Sequence, residues 1–234
     1  MCGCTSRIVS NEHADVSRET PPPPGQAAEV FSSRLPLAVR FADWLADAGV
    51  ERGLIGPREI PRLWDRHLLN CAVVAPAIPA DARIADVGSG AGLPGLVWAI
   101  VRPDVHVTLI EPLRRRTTFL EEVTDALALG DQVTISRGRA EDHPMTSGYD
   151  VVTARAVAAQ PKLVRWCLPL VRPGGLMVAL KGSRAEEEVR DAASTVRRLG
   201  GTDVIVKTYG GDLLEVPTTV IEVRRGFVRR DSGG

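Results

Sequence analysis

The sequence has no run of about 18 consecutive apolar residues, which excludes a helical membrane span. Its first residues, MCGCTSRIVSNEHADVSRETPPPP, lack the apolar stretch of a secretory signal, so no such signal is expected. Net charge is absent too: 29 Lys and Arg offset 29 Asp and Glu. A generally basic, nucleic-acid-coating surface is therefore excluded, while a local basic patch is not. Cysteine is scarce. Cys2 and Cys4 form a C-x-C pair with only His13 nearby, short of the four ligands a structural metal needs, and no metal site is expected. Cys71 and Cys167 sit in apolar contexts and read as small core residues. A chain with no disulfide framework reads as a reduced, cytoplasmic protein. Lysine occurs only at Lys162, Lys181 and Lys207, so nearly all positive charge is arginine. Arginine suits phosphate and base contacts; a codon preference for arginine accounts for the bias equally well. No internal repeat is visible.

The composition that remains is that of an ordinary globular protein, 44% hydrophobic and 25% charged. At 234 residues, and with about 150 residues per domain as a guide, one domain or one domain with a small appendage is expected. Such a chain builds a core without disulfide or metal staples. Residues 1–25 are polar and end in Pro21-Pro22-Pro23-Pro24-Gly25, which predicts a disordered tail and stiff linker. Apolar residues at helical spacing from Ala27 to Ala46 predict a helix over 27–48, broken or kinked at Pro36 and stopped at Gly49. A second helix is expected from Pro57 to Val74. Residues 26–78 thus form a helical cap.

From residue 83 apolar, β-branched runs alternate with helical stretches. The expected strands are Arg83–Val87, His106–Glu111, Gln132–Ser136, Tyr149–Ala154, Leu176–Lys181, Asp203–Thr208 and Thr218–Arg224. Helices are expected over Leu93–Val101, Arg115–Leu129, Pro161–Leu170 and Arg184–Leu199, with a short connection after Arg139. The alternation predicts an α/β fold, a seven-stranded, mostly parallel sheet with helices on both faces, occupying 79–228. The last two strands are joined through Gly210-Gly211 without a helix and should form an antiparallel hairpin. Residues 229–234 read as a loose tail.

One segment carries the chemistry. Ala85-Asp86-Val87-Gly88-Ser89-Gly90-Ala91-Gly92-Leu93-Pro94-Gly95 follows a strand and opens a helix. Its glycines allow a tight turn and close backbone approach to a ligand. Glu111 ends the next strand, where a carboxylate accepts hydrogen bonds from both hydroxyls of a ribose. A nucleoside-containing cofactor is implied. The spacing is G-x-G-x-G rather than the dinucleotide G-x-G-x-x-G, and Asp86 beside the loop disfavours a pyrophosphate. A cationic sulfonium ligand, S-adenosylmethionine, fits better than NAD, with a ligand-free Gly-rich turn as the plain alternative.

These residues, together with others, resemble a known family. RHLLN (Arg66–Asn70), DVGSGAGLPG (Asp86–Gly95), RRRTTFL (Arg114–Leu120), GRAED (Gly138–Asp142), ARAVA, which carries Arg155, and ALKG (Ala179–Gly182) resemble the RsmG (GidB) family, 16S ribosomal RNA guanine-N7 methyltransferases. DVGSGAGLPG alone marks methyltransferases generally; its LPG ending with ARAVA and LKG is close to family-specific. Asn70 departs from the pattern, since many relatives carry Asp there. The resemblance implies a class I S-adenosylmethionine-dependent methyltransferase fold, Rossmann-like, with strand order 3-2-1-4-5-7-6. It implies cofactor contacts at Gly88, Leu93, Ala140, Glu141 and Arg155, beside Asp86, Gly90, Gly92 and Glu111 from the loop and strand end.

Arg155, after a strand, is the candidate catalytic positioning residue, with an ion pair to Glu111 or Glu141 as the structural alternative. Lys181 ends another strand and faces either RNA phosphate or solvent. Arg114, Arg115 and Arg116, and Arg224, Arg225, Arg229 and Arg230 against Asp231, offer a phosphate-tracking rim or plain solvated faces. His67 reads as a satisfied buried histidine before a catalytic one. Trp98 and Trp166 read as core.

Guanine N7 carries a lone pair and no proton, so no general base is needed, and rate should come from placement. The resemblance implies 16S rRNA of the small ribosomal subunit or its precursor as the partner; nothing in the sequence suggests an obligate dimer, and a monomer is expected. A small-molecule or protein methyltransferase, an NAD-dependent oxidoreductase and a non-enzymatic RNA-binding module remain alternatives.

Overall fold

The structure, a computed structural model, describes residues 20–143, 148–155 and 159–227. Cys2, Cys4, His13, the second half of ARAVA, Arg229, Arg230, Asp231 and the expected terminal tail lie outside the described residues. The cap begins with α1 (Gly25–Phe31) and α2 (Leu35–Trp44), separated by a tight turn over Ser32–Arg34. The expected break therefore falls ahead of Pro36. Ser32 takes φ 47°, which ends α1, and Pro36 then sits in the first turn of α2, where no N–H is needed.

The expected helix from Pro57 to Val74 is three pieces: a 3-10 turn over Pro57–Arg62, a wide π-type stretch over Leu63–Leu69 and α3 (Asn70–Ala72). Pro61, lying inside the first piece, has no N–H to donate and prevents a regular α-ladder from starting there. Stretches of π-helix in this setting re-aim side chains and are common at functional sites. This one carries Arg66 and His67.

Seven strands follow: β1 (Arg83–Val87), β2 (His106–Ile110), β3 (Val133–Ser136), β4 (Tyr149–Arg155), β5 (Val171–Lys181), β6 (Gly201–Tyr209) and β7 (Thr218–Arg225). They form one sheet in the order β3-β2-β1-β4-β5-β7-β6. The first five pair in parallel, and β7 runs antiparallel to both β5 and β6. The interposed helices are α4 (Gly95–Val101), α5 (Arg114–Ala126), α6 (Gln160–Cys167) and α7 (Ala185–Arg198). Strand β5 starts five residues earlier than the pattern suggested, because Pro173-Gly174-Gly175 interrupts the apolar run without ending the strand.

Each face of the sheet has its own core. On one face α4 and α5 pack with the cap, burying Trp98, Phe119 and Leu120 beside Phe31, Phe41, Leu45 and Leu63. On the other, α6 and α7 cover the sheet through Leu163, Val164, Ala192 and Val196. The cap shares the first core and is tied to it by polar bonds. Trp98 Nε1 donates to the Cys71 carbonyl at 2.9 Å, and Arg102 Nη1 donates to the Ile78 carbonyl at 2.8 Å. Cys71 and Cys167 are buried free thiols, one in each core. Neither cap nor sheet buries its apolar face alone, so the cap is a fixed wall over one end of the sheet.

Candidate functional site

Strand order reverses at β1, whose neighbours are β2 and β4. That switch point opens a crevice beyond the carboxyl ends of the strands, the usual ligand site of an open parallel sheet. The loop after β1 lines it. Gly88, Gly90 and Gly92 have φ of 71°, 58° and 89°, values a side chain would strain. The loop is pinned from β2: Gly88 N and Ser89 N donate to the Ile110 carbonyl at 2.8 and 3.3 Å.

Glu111 completes the pin. It is 1% exposed, and its two carboxylate oxygens accept from Gly90 N at 3.0 Å and Leu113 N at 3.1 Å. Arg116 Nη1 reaches the same carboxylate at 3.5 Å. An ionised carboxylate has about four acceptor positions, so capacity remains for a ligand hydroxyl.

These groups wall a cavity of about 600 Å³ together with Leu54, Ile55 and His67 from the cap and Arg155 from β4. Gly88 and Pro112 are shared with a second cavity of about 370 Å³, lined by Gly138, Arg139, Ala140, Glu141, Lys162 and Trp166. Trp166 is thus half-buried and in a cavity wall rather than wholly in the core, with Lys162 Nζ 4.8 Å above its ring. Arg155 is shared with a third, more polar cavity of about 740 Å³ reaching Arg66, Asn70, Lys181, Arg184 and the acidic start of α7. Sharing these wall residues, the three lie side by side as a trough along the carboxyl edge of the sheet.

Most of the expected site residues meet there: Gly88, Gly90, Leu93, Glu111 and Arg155 around the first cavity, Ala140 and Glu141 around the second, Lys181 in the third. Asp86 and Gly92 do not. Asp86 is wholly buried beneath the loop, where Oδ2 accepts from Gly95 N at 3.0 Å and holds the start of α4. Burial pushes its carboxyl up to about 7. Among the described residues its Oδ1 has no partner, and neither does Oγ1 of Thr153, its register neighbour on β4. Gly92 packs on Leu96, whose Cδ1 would lie 2.4 Å from an added Cβ. Both residues build the loop from behind.

Arg155 pairs with neither Glu111 nor Glu141. Its Nη2 donates to the Arg66 carbonyl at 3.0 Å and lies 2.8 Å from His67 Nδ1, while Nη1 donates to Cys71 Sγ at 3.1 Å. Lys181 is not a solvated lysine: its ammonium lies 2.7 Å from Glu188 with 9% of the side chain exposed. Arg114 and Arg115 are exposed in the first turn of α5, where the helix dipole favours acids over bases. Arg116 instead turns inward to Glu111. Arg225 donates to the Pro169 carbonyl at 2.6 Å, and Arg224 to that of Gly174 at 3.1 Å, so these two are engaged with the protein itself. No cluster of three metal-ligating side chains occurs among the described residues.

Comparison with known proteins agrees with this geometry. Residues 34–214 match the family described as GidB, rRNA small subunit methyltransferase G. A relative named ribosomal RNA small subunit methyltransferase G from Salinispora arenicola is 56% identical over 216 residues, covering 88% of each chain. One of the same name from Corynebacterium glutamicum is 52% identical over 222 residues, covering 94% of this chain and 98% of its own. Among solved structures, the S-adenosylmethionine-dependent methyltransferase SibL in its apo form shares the fold, with a TM-score of 0.57 at 19% identity over 87% of this chain and 70% of its own.

Proposed function

Since the chain belongs to the rRNA small subunit methyltransferase G family, we propose that it transfers the methyl group of S-adenosylmethionine to N7 of a guanine in 16S ribosomal RNA. The observation that carries this reading is the trough itself: a glycine-lined cavity with a buried carboxylate in its wall shares Arg155 with a neighbouring polar cavity. The residues fit the cofactor. An added Cβ at Gly90 would meet nothing nearer than the Gly88 carbonyl at 3.8 Å, so the backbone there faces open space into which a ligand can press. Glu111 would take a ribose hydroxyl, and Gly138–Glu141 with the Trp166 ring would hold the adenine. When bound, the cofactor supplies an electrophilic methyl group on a sulfonium.

The protein's own part is placement. Guanine N7 has a lone pair and loses no proton, so no side chain has to act as a base. A nucleophile held in line with the methyl group gains its rate from proximity and orientation. Arg155 and Lys181 line the polar cavity that would receive the base. Residues 26–78 act as the cap and 79–228 as the methyltransferase domain of one monomer. With no net charge and an exposed pair, Arg114 and Arg115, at the start of α5, the protein suits a folded ribonucleoprotein acceptor, the small subunit or its precursor in the cytoplasm. No helix among the described residues is long and apolar enough to cross a membrane.

Two expected results follow. Glu111→Ala weakens S-adenosylmethionine binding by about 1–3 kcal/mol, roughly 5- to 150-fold in Kd, through lost charge-assisted hydrogen bonds and a loosened Gly90; an unchanged calorimetric Kd removes Glu111 from the cofactor site. Arg114→Glu with Arg115→Glu raises KM for small subunits and leaves cofactor Kd alone; an unchanged KM makes those arginines solvated surface.

The reading is tested by incubating the protein with methyl-labelled S-adenosylmethionine and small subunits from cells lacking it. Label in the rRNA supports it. Label in ribosomal protein, or cofactor binding with no transfer to the particle, favours a protein or small-molecule methyltransferase instead.

A further inference from the structure

Arg155 lines both the cofactor cavity and the polar cavity, and its side-chain hydrogen bonds among the described residues all run to the cap. His67 is 8% exposed and sits between two charged groups, with Nδ1 2.8 Å from Arg155 Nη2 and Nε2 3.0 Å from Glu59 Oε2. A guanidinium has five N–H groups and no acceptor, so Nδ1 must accept. The ring proton is then on Nε2, where it donates to Glu59. Three of the five guanidinium N–H groups are used by His67, the Arg66 carbonyl and Cys71, which leaves two for a ligand.

We propose that His67 and Glu59 are positioning residues for methyl transfer: Glu59 fixes the neutral Nε2–H tautomer of His67, whose Nδ1 in turn fixes the guanidinium of Arg155 at the junction of the two cavities. The inference deepens the methyltransferase reading and rests on it. The charged groups facing His67 are Arg155 from β4, Glu59 from the Pro57–Arg62 turn and Arg66 from the same stretch as the histidine. Burial, then the Arg155 cation, lower the imidazole to about 4, against the pull of Glu59, so the ring stays neutral at working pH. A protonated ring would aim a second donor at the guanidinium and push it from its place.

Two measurements test this. The first is the nitrogen NMR signature of the His67 ring in the unaltered protein at pH 6, read without cofactor or subunit. The expected result is a neutral ring protonated at Nε2. A protonated ring, or the Nδ1–H tautomer, overturns the proposal. Because this readout needs no acceptor, its failure is distinct from a failure of the unaltered protein to transfer methyl groups.

The second compares His67→Ala with His67→Asn in methyl transfer. The asparagine carbonyl oxygen takes the place of Nδ1 and still accepts from Arg155, whereas alanine offers nothing. The expected result is a kcat about 10-fold lower for the alanine variant, with KM for the subunit little changed and most of the loss recovered by asparagine. Equal activity of the two variants, whether both high or both low, overturns the positioning role.

Discussion

Arg155→Ala lowers kcat for methyl transfer by about 100-fold, the size of effect that follows from misplacing a reactant by an ångström. The loss exceeds that of any one partner because the guanidinium joins the cap to the wall shared by the two cavities through three bonds at once. Its two remaining N–H groups would meet the cofactor or the base, so cofactor Kd rises as well, by about tenfold for one charge-assisted hydrogen bond. Arg155→Lys does not restore the rate. An ammonium is a compact point charge on a flexible stem and cannot span a thiol, a carbonyl and an imidazole at fixed angles. Single-turnover kinetics with calorimetry on both variants check this. A wild-type rate for the alanine variant removes Arg155 from the reaction.

Gly95→Val destabilises the fold by about 3 kcal/mol, at the upper end for overpacking a core, and lowers Tm by about 6–12 °C for a chain of this size. The first added carbon would already lie 2.5 Å from Leu109 Cδ2 and 2.7 Å from Asp86 Oδ2. Relief requires α4 to move away from β1, which takes the Gly95 N–H from the buried Asp86 carboxyl. The other oxygen of that carboxyl, Oδ1, has no partner among the described residues, and a buried acid without donors is costly. Thermal unfolding followed by circular dichroism measures the shift. A Tm within a degree of wild type would mean that the loop tolerates what its geometry forbids.

The parallel sheet was legible because each strand is a compact β-branched run and each helix has its own period. Arg83–Val87 followed by three glycines and then Glu111 one strand later already pointed to residues that share one cavity wall. The side each residue faces was not legible. Both faces of this sheet are covered, so no alternation of polar and apolar residues marks which way Asp86 turns, and it turns inward. The cap helix from Pro57 was misread in form because its apolar spacing tolerates a π-stretch as readily as an α-helix. A mid-helix Pro61 was the available signal. Trp166 sat in an apolar helix and gave no sign of bordering a cavity. The bond between His67 and Arg155 spans 88 residues and two separate elements. Nothing local announces it; only the fold brings the cap stretch over the end of β4.

The account stands most directly on the atom that is methylated. Small subunits from cells lacking this protein, treated with the protein and methyl-labelled S-adenosylmethionine, are digested to nucleosides and separated. The prediction is label in 7-methylguanosine, lost with Arg155→Ala and reduced with Glu111→Ala. Label in a base methylated on carbon, on an exocyclic amine or on a ribose hydroxyl would contradict it, because those acceptors must shed a proton and transfer to guanine N7 needs no base to take one.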